Sequence, residues 1–165
     1  MGSTGYFFTF RAWCIVNITE NFTVEELTAS EYAVRHDIPN TPDADVSENL
    51  RILALGLERI RNIIGQPITV TSGYRSPKVN SGVGGSKTSD HVKGLAADIK
   101  VNGMSPQVVA SIINDTKHEI QFKQCILEFN QWVHVSFPDV GEDAKLEVLT
   151  AKKDNGRTVY VVGVA

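Results

Sequence analysis

His91 and Asp98 stand seven residues apart in Ser89-Asp90-His91-Val92-Lys93-Gly94-Leu95-Ala96-Ala97-Asp98, and Trp132-Val133-His134-Val135 supplies a second imidazole downstream. Two imidazoles and one carboxylate are the usual protein ligands of a hydrolytic zinc ion, which keeps its fourth position open for water. A structural zinc more often closes its shell with four Cys or His ligands. With an ion bound, the set has a net charge of about +1, positive enough to polarise water and substrate together. Gly94 lets the chain turn between His91 and Asp98 so that both side chains meet at one point. The expected metal centre is therefore one Zn2+ ion on His91, Asp98 and His134.

Hydrolysis also needs a group that moves protons, and Glu128 precedes His134 on the same predicted hairpin. Strand periodicity puts Trp132, His134 and Ser136 on one face. A loop of Asn130, Gln131 and Trp132 places Glu128 directly across from His134, with Cβ atoms about 5 Å apart. From there its carboxylate can take a proton from water and return it to a leaving amine. A two-residue turn would send Glu128 to the opposite face, so register decides this role. Arg75 closes the run Thr71-Ser72-Gly73-Tyr74-Arg75-Ser76. Its guanidinium can hold a substrate carboxylate or steady an oxyanion, which makes Arg75 a candidate in both catalysis and substrate binding. Ser72 and Ser89 are candidates for hydrogen bonds to substrate.

These residues must be held by elements that the sequence also announces. Thr23-Val24-Glu25-Glu26 is a capping box that starts a short helix, and Ser30 caps a second through Arg35. Ile38-Pro39-Asn40-Thr41-Pro42 breaks the chain. Val46, Leu50, Leu53, Ala54, Leu57, Ile60 and Ile64 recur at helical spacing up to Gly65. Ile68 to Thr71 reads as a strand, residues 76–90 as a Gly/Ser-rich loop, and Leu95 to Val101 as a strand carrying Asp98. Ser105-Pro106 opens a helix to about His118. Two hairpins follow, Cys125–Phe129 with Trp132–Phe137, and Leu146–Ala151 with Arg157–Val164 around Asp154-Asn155-Gly156. The expectation is an α+β fold with helices packed on a mainly antiparallel sheet, in one domain over residues 21–165.

Composition narrows the function classes. The chain has 165 residues, 42% hydrophobic and 21% charged, with a formal net charge of −3. That balance suits an ordinary globular domain and gives nucleic acid no bulk attraction. Gly82-Val83-Gly84-Gly85-Ser86-Lys87-Thr88 fails as a phosphate loop, because Ser86 stands where the second Gly should precede Lys87. Cys14 and Cys125 form no CxxC pair, and two buried or idle thiols are favoured over a disulfide between them. Residues 1–20 read as an N-terminal extension. Its apolar start lacks a basic region ahead of it, is interrupted by Arg11, and is too short to span a membrane.

The run Pro67-Ile68-Thr69-Val70-Thr71-Ser72-Gly73-Tyr74-Arg75-Ser76, then Ser89-Asp90-His91 to Asp98, then Trp132-Val133-His134, resembles the zinc D-alanyl-D-alanine carboxypeptidase family. That family includes bacterial and bacteriophage peptidoglycan peptidases, vancomycin-resistance D,D-dipeptidases and, by fold, the Hedgehog signalling domain. The resemblance spans residues 21–150. It implies a Hedgehog/DD-peptidase-like fold, zinc on His91, Asp98 and His134, and Arg75 in substrate or transition-state binding. It also implies cleavage of a peptide bond in the peptidoglycan stem peptide or cross-link at the bacterial cell wall. Many members carry the catalytic Glu three residues before the last His, where this chain has Gln131; its Glu128 resembles instead the small phage-type branch. The implied setting is a phage or prophage lysin that reaches the wall through a holin-type pore, by virion delivery or on cell lysis. The same fold also admits a non-catalytic zinc-containing binding domain, the alternative reading.

Overall fold

Thr23, Ser30, Asp43, Ser76 and Ser105 each turn a side-chain oxygen back to accept the N–H three residues on, and each starts a helix. The computed structural model describes residues 17–165, so the apolar start of the chain and Cys14 lie outside the described residues. The helices are α1 (Val24–Thr28), α2 (Glu31–Arg35), α3 (Ala44–Ile64), α4 (Pro77–Gly82), α5 (Pro106–Asp115) and α6 (Lys117–Ile120). Gly65 ends α3 in the left-handed conformation, φ 70°. Two differences from expectation have local causes. Ser76-Pro77 is the same cap-and-proline signal as Ser105-Pro106, so the predicted loop begins with a helix. The helix expected to run to His118 divides at Thr116, whose Oγ1 donates back to the Ile112 carbonyl at 2.7 Å.

The strands are β1 (Ile68–Ser72), β2 (Ala96–Val101), β3 (Gln124–Glu128), β4 (Trp132–Ser136), β5 (Glu147–Asp154) and β6 (Arg157–Val162). They form one six-stranded sheet in the order β1-β2-β4-β3-β5-β6. The sheet is mixed, which corrects the mainly antiparallel expectation: β5 runs parallel to β3. Local hairpin signals are blind to this pairing, because residues 137–146 carry the chain past β3 before β5 begins.

Alternation along the strands sorts the side chains into two faces. One face buries Ala97, Ile99, Cys125, Leu127, Val133 and Val135 against Leu50, Leu53, Leu57 and Ile60 of α3 and Val109 and Ile113 of α5. Each large aliphatic side chain buried this way contributes about 1.5–3 kcal/mol. Gly56 allows a close approach here, since a Cβ there would clash with the Phe137 ring. Burial in this layer pushes the Cys125 thiol up to about 12 and makes it inert. The other face carries Asp98, His134 and Glu128. Among the described residues no helix is long and apolar enough to cross a membrane.

Candidate metal centre

A break in the β1 ladder sets up the site. Ile68, Thr69 and Val70 pair regularly with Val101, Lys100 and Ile99, but the register shifts between Val70 and Ser72 so that Ser72 faces Asp98. Thr71 is the extra residue, and its Oγ1 donates to the Asp98 carbonyl at 3.0 Å. On its other side Asp98 pairs directly with His134 of β4. The bulge therefore puts Ser72, Asp98 and His134 in one row across three strands.

His91 reaches the row from the loop before β2. Its Nδ1 donates to the Gly73 carbonyl at 2.7 Å, and its carbonyl accepts the Arg75 N–H at 3.1 Å. This two-way clasp puts the ring proton on Nδ1 and leaves the Nε2 lone pair facing Asp98 and His134. Gly73 must be glycine for the clasp to form, because a Cβ there would meet the Leu27 carbonyl oxygen at 2.2 Å. His91 Nε2 lies 3.2 Å from Asp98 Oδ1 and 3.1 Å from His134 Nδ1, and His134 Nδ1 lies 3.0 Å from Asp98 Oδ1. All three residues are buried.

Burial lowers the pKa of His91 and keeps it neutral, as a ligand must be. Burial acts the other way on Asp98, but its contacts with His134 and His91 outweigh that and hold its carboxyl well below the usual range. The donor set fits zinc. Four-coordinate zinc with bonds of about 2.0–2.1 Å separates its donors by roughly 3.3–3.4 Å, close to the observed triangle. These three residues form the one His/Cys/Asp/Glu group among the described residues whose donor atoms converge in this way.

The triangle sits in a cleft of about 700 Å³ lined also by Arg75, Ser89, Glu128 and Phe129. Arg75 donates from Nη2 to Asp98 Oδ2 at 2.9 Å and from Nε to Ser72 Oγ at 3.0 Å. Asp98 thus offers one oxygen to the imidazoles and anchors the other on Arg75. Ser72 steadies the guanidinium and does not line this cleft. Ser89 lines it, with its Oγ accepting the His91 N–H at 3.3 Å.

Glu128 requires a correction. It pairs with Trp132, and the residue opposite His134 is Ile126. The loop is Phe129, Asn130 and Gln131, one residue earlier than expected, because Phe129 and Asn130 both take left-handed conformations, φ 51° and 55°. The slip moves the pairing by an even number of residues, so Glu128 keeps the face of His134 but sits diagonal to it. Burial, and then the charge of Asp98, raise its pKa above the ordinary carboxylate value, partly offset by His134 and Arg75.

Asn40 was missed, since its surroundings read as a chain break. Its Nδ2 donates to the carbonyls of Thr28 and Tyr74 at 2.8 and 3.1 Å, and its Oδ1 accepts the Ser76 N–H at 2.7 Å. It clamps the segment that carries Arg75. The one available signal is an Asn between two prolines, Pro39 and Pro42, a setting rich in side-chain-to-backbone bonds. Asn40→Ala is expected to cost roughly 1–3 kcal/mol in urea unfolding. A change below about 0.5 kcal/mol would contradict the clamp.

The family model described as Peptidase M15 matches residues 20–136, which take in the three donors, Arg75 and Glu128. Among curated proteins none matches the chain.

Proposed function

The chain belongs to the peptidase M15 family, and on that footing we propose that it is a zinc-dependent peptidase that hydrolyses a D-Ala-D-Ala-type bond of the peptidoglycan stem peptide or cross-link. The observation that carries this reading is the convergence of His91, Asp98 and His134 in a cleft that also holds Glu128 and Arg75. His91, Asp98 and His134 would hold the ion. Zinc, when bound, supplies Lewis acidity for a carbonyl oxygen and for water. Glu128 takes the proton from the attacking water and delivers it to the leaving amine nitrogen. Arg75 keeps Asp98 oriented and presents positive charge to the oxyanion that forms as the carbonyl is attacked. Ser89, Gly84 and Gly85 line the cleft where substrate would enter. The setting we propose is a phage or prophage lysin, in keeping with the spacing of Glu128 and His134.

The test is digestion of defined muropeptides by the zinc-loaded protein, read by mass spectrometry beside a chelated control. Chelator-sensitive loss of terminal alanine makes it a carboxypeptidase. Splitting of a dimer or an internal bond makes it an endopeptidase. No cleavage with zinc in place would replace this reading with the non-catalytic zinc domain.

A further inference from the structure

β5 and β6 lie beyond residues 20–136, yet their hairpin walls the cleft through Leu149, Lys153, Thr158 and Tyr160. Register explains why. Ala151 is level with Glu128 in the parallel β3–β5 pair and opposite Tyr160 in the β5–β6 pair, and Lys153 is opposite Thr158. Alternation then gives Lys153 the sheet face that carries Glu128 and His134. The small Ala151 leaves the Tyr160 ring standing free, 58% exposed.

Lys153 is held in place without being neutralised. Its Nζ donates to Thr158 Oγ1 at 2.9 Å and stands 5.0 Å from the centroid of the Phe129 ring. Phe129 is fixed in turn by its N–H bond to the Ala151 carbonyl at 3.1 Å and its edge contact with Trp132 at 6.2 Å. The ion pairs of the described residues do not include Lys153. The other cation lining the cleft, Arg75, is paired with Asp98. A cation already ordered against a ring loses little further freedom when it meets an anion.

We infer that Lys153, with Phe129, Thr158 and Tyr160 around it, is an anion subsite that takes a carboxylate of the peptide substrate one or two residues from the scissile bond. Tyr160 packs against the adjoining peptide. The inference rests on the peptidase reading and narrows it to acidic peptides. A strand rise of about 3.3 Å and a strand spacing of about 4.8 Å put the Lys153 and Glu128 Cα atoms roughly 8 Å apart, close to the length of a dipeptide.

Two synthetic stem-type peptides, one with a free carboxylate beside the cleavage position and one with a carboxamide there, test it. Hydrolysis is followed by mass spectrometry and binding by calorimetry, using the zinc-loaded full chain. The wild type should favour the carboxylate about five- to tenfold in kcat/KM and in Kd. Lys153→Gln should erase that ratio, Lys153→Arg should keep it, and Lys153→Glu should invert it. No preference in the wild type, a carboxylate preference undiminished in Lys153→Gln, or no binding of either peptide overturns the subsite. If no protein cuts either peptide, the peptidase reading fails, and the Kd ratios still decide the subsite.

Discussion

Glu128→Gln is expected to lower kcat by roughly 10²–10⁴ while zinc content and melting temperature stay at wild-type values. The substitution keeps shape and removes only the basic form. Glu128 lines the cleft, yet its side chain makes no hydrogen bond to His91, Asp98 or His134. At about 1.36 kcal/mol per factor of ten, the loss corresponds to about 3–5 kcal/mol of transition-state stabilisation. The pH profile gives a second readout. Burial and the Asp98 charge raise the Glu128 pKa, and catalysis needs the deprotonated form. The kcat/KM of the wild type should therefore rise with pH through a value above the ordinary carboxylate range, and that limb should vanish in Glu128→Gln. A Gln variant that turns over at the wild-type rate would remove Glu128 from the mechanism.

His134→Ala is expected to abolish activity and zinc binding together. Losing a group that merely orients a ligand typically costs 10–100-fold in metal affinity, so losing a ligand should cost more than about 100-fold. Stability reports the same event independently of turnover. An ion present at 100 times its Kd adds about 2.7 kcal/mol, which for a chain of this length is roughly 5–10 °C in melting temperature. Chelation should lower the melting temperature of the wild type by that order and leave that of His134→Ala where it was. A chelator-sensitive His134→Ala protein would show that the ion sits elsewhere.

The legible part of this molecule was whatever the chain writes locally. Thr23, Ser30 and Ser105 announced their helices because a cap is a contact over three residues. The donors His91, Asp98 and His134 could be picked out because their residue types and spacing match a known arrangement, and the fold brings their ring nitrogens and carboxylate oxygen within hydrogen-bond distance. Ser76-Pro77 carried the same signal as Ser105-Pro106 and was hidden only by the glycines that follow it. The rest depended on partners far along the chain. The parallel β3–β5 pair, the clamp from Asn40 to Ser76 and the Lys153 wall are each set by contacts that no short window contains. The Glu128 register failed for a subtler reason: Phe129 in a left-handed conformation goes against the bias of its own residue type, and Phe129 N–H to Ala151 is the tertiary contact that accompanies it.

Asp98 and His134 face one another across the β2–β4 ladder, 36 residues apart in the chain. A slip of one residue between these strands would turn one of them toward the aliphatic layer and leave the other alone. Only the native alignment presents two donors side by side, so an ion that needs both discriminates among alignments during assembly. It cannot help the strands find each other, because the 43 residues from His91 to His134 must already be closed before it gains a second imidazole. What it can do is slow the reverse step. With an ion bound, the pair would thus act in folding as a proofreader, retaining correctly aligned chains and letting misaligned ones come apart.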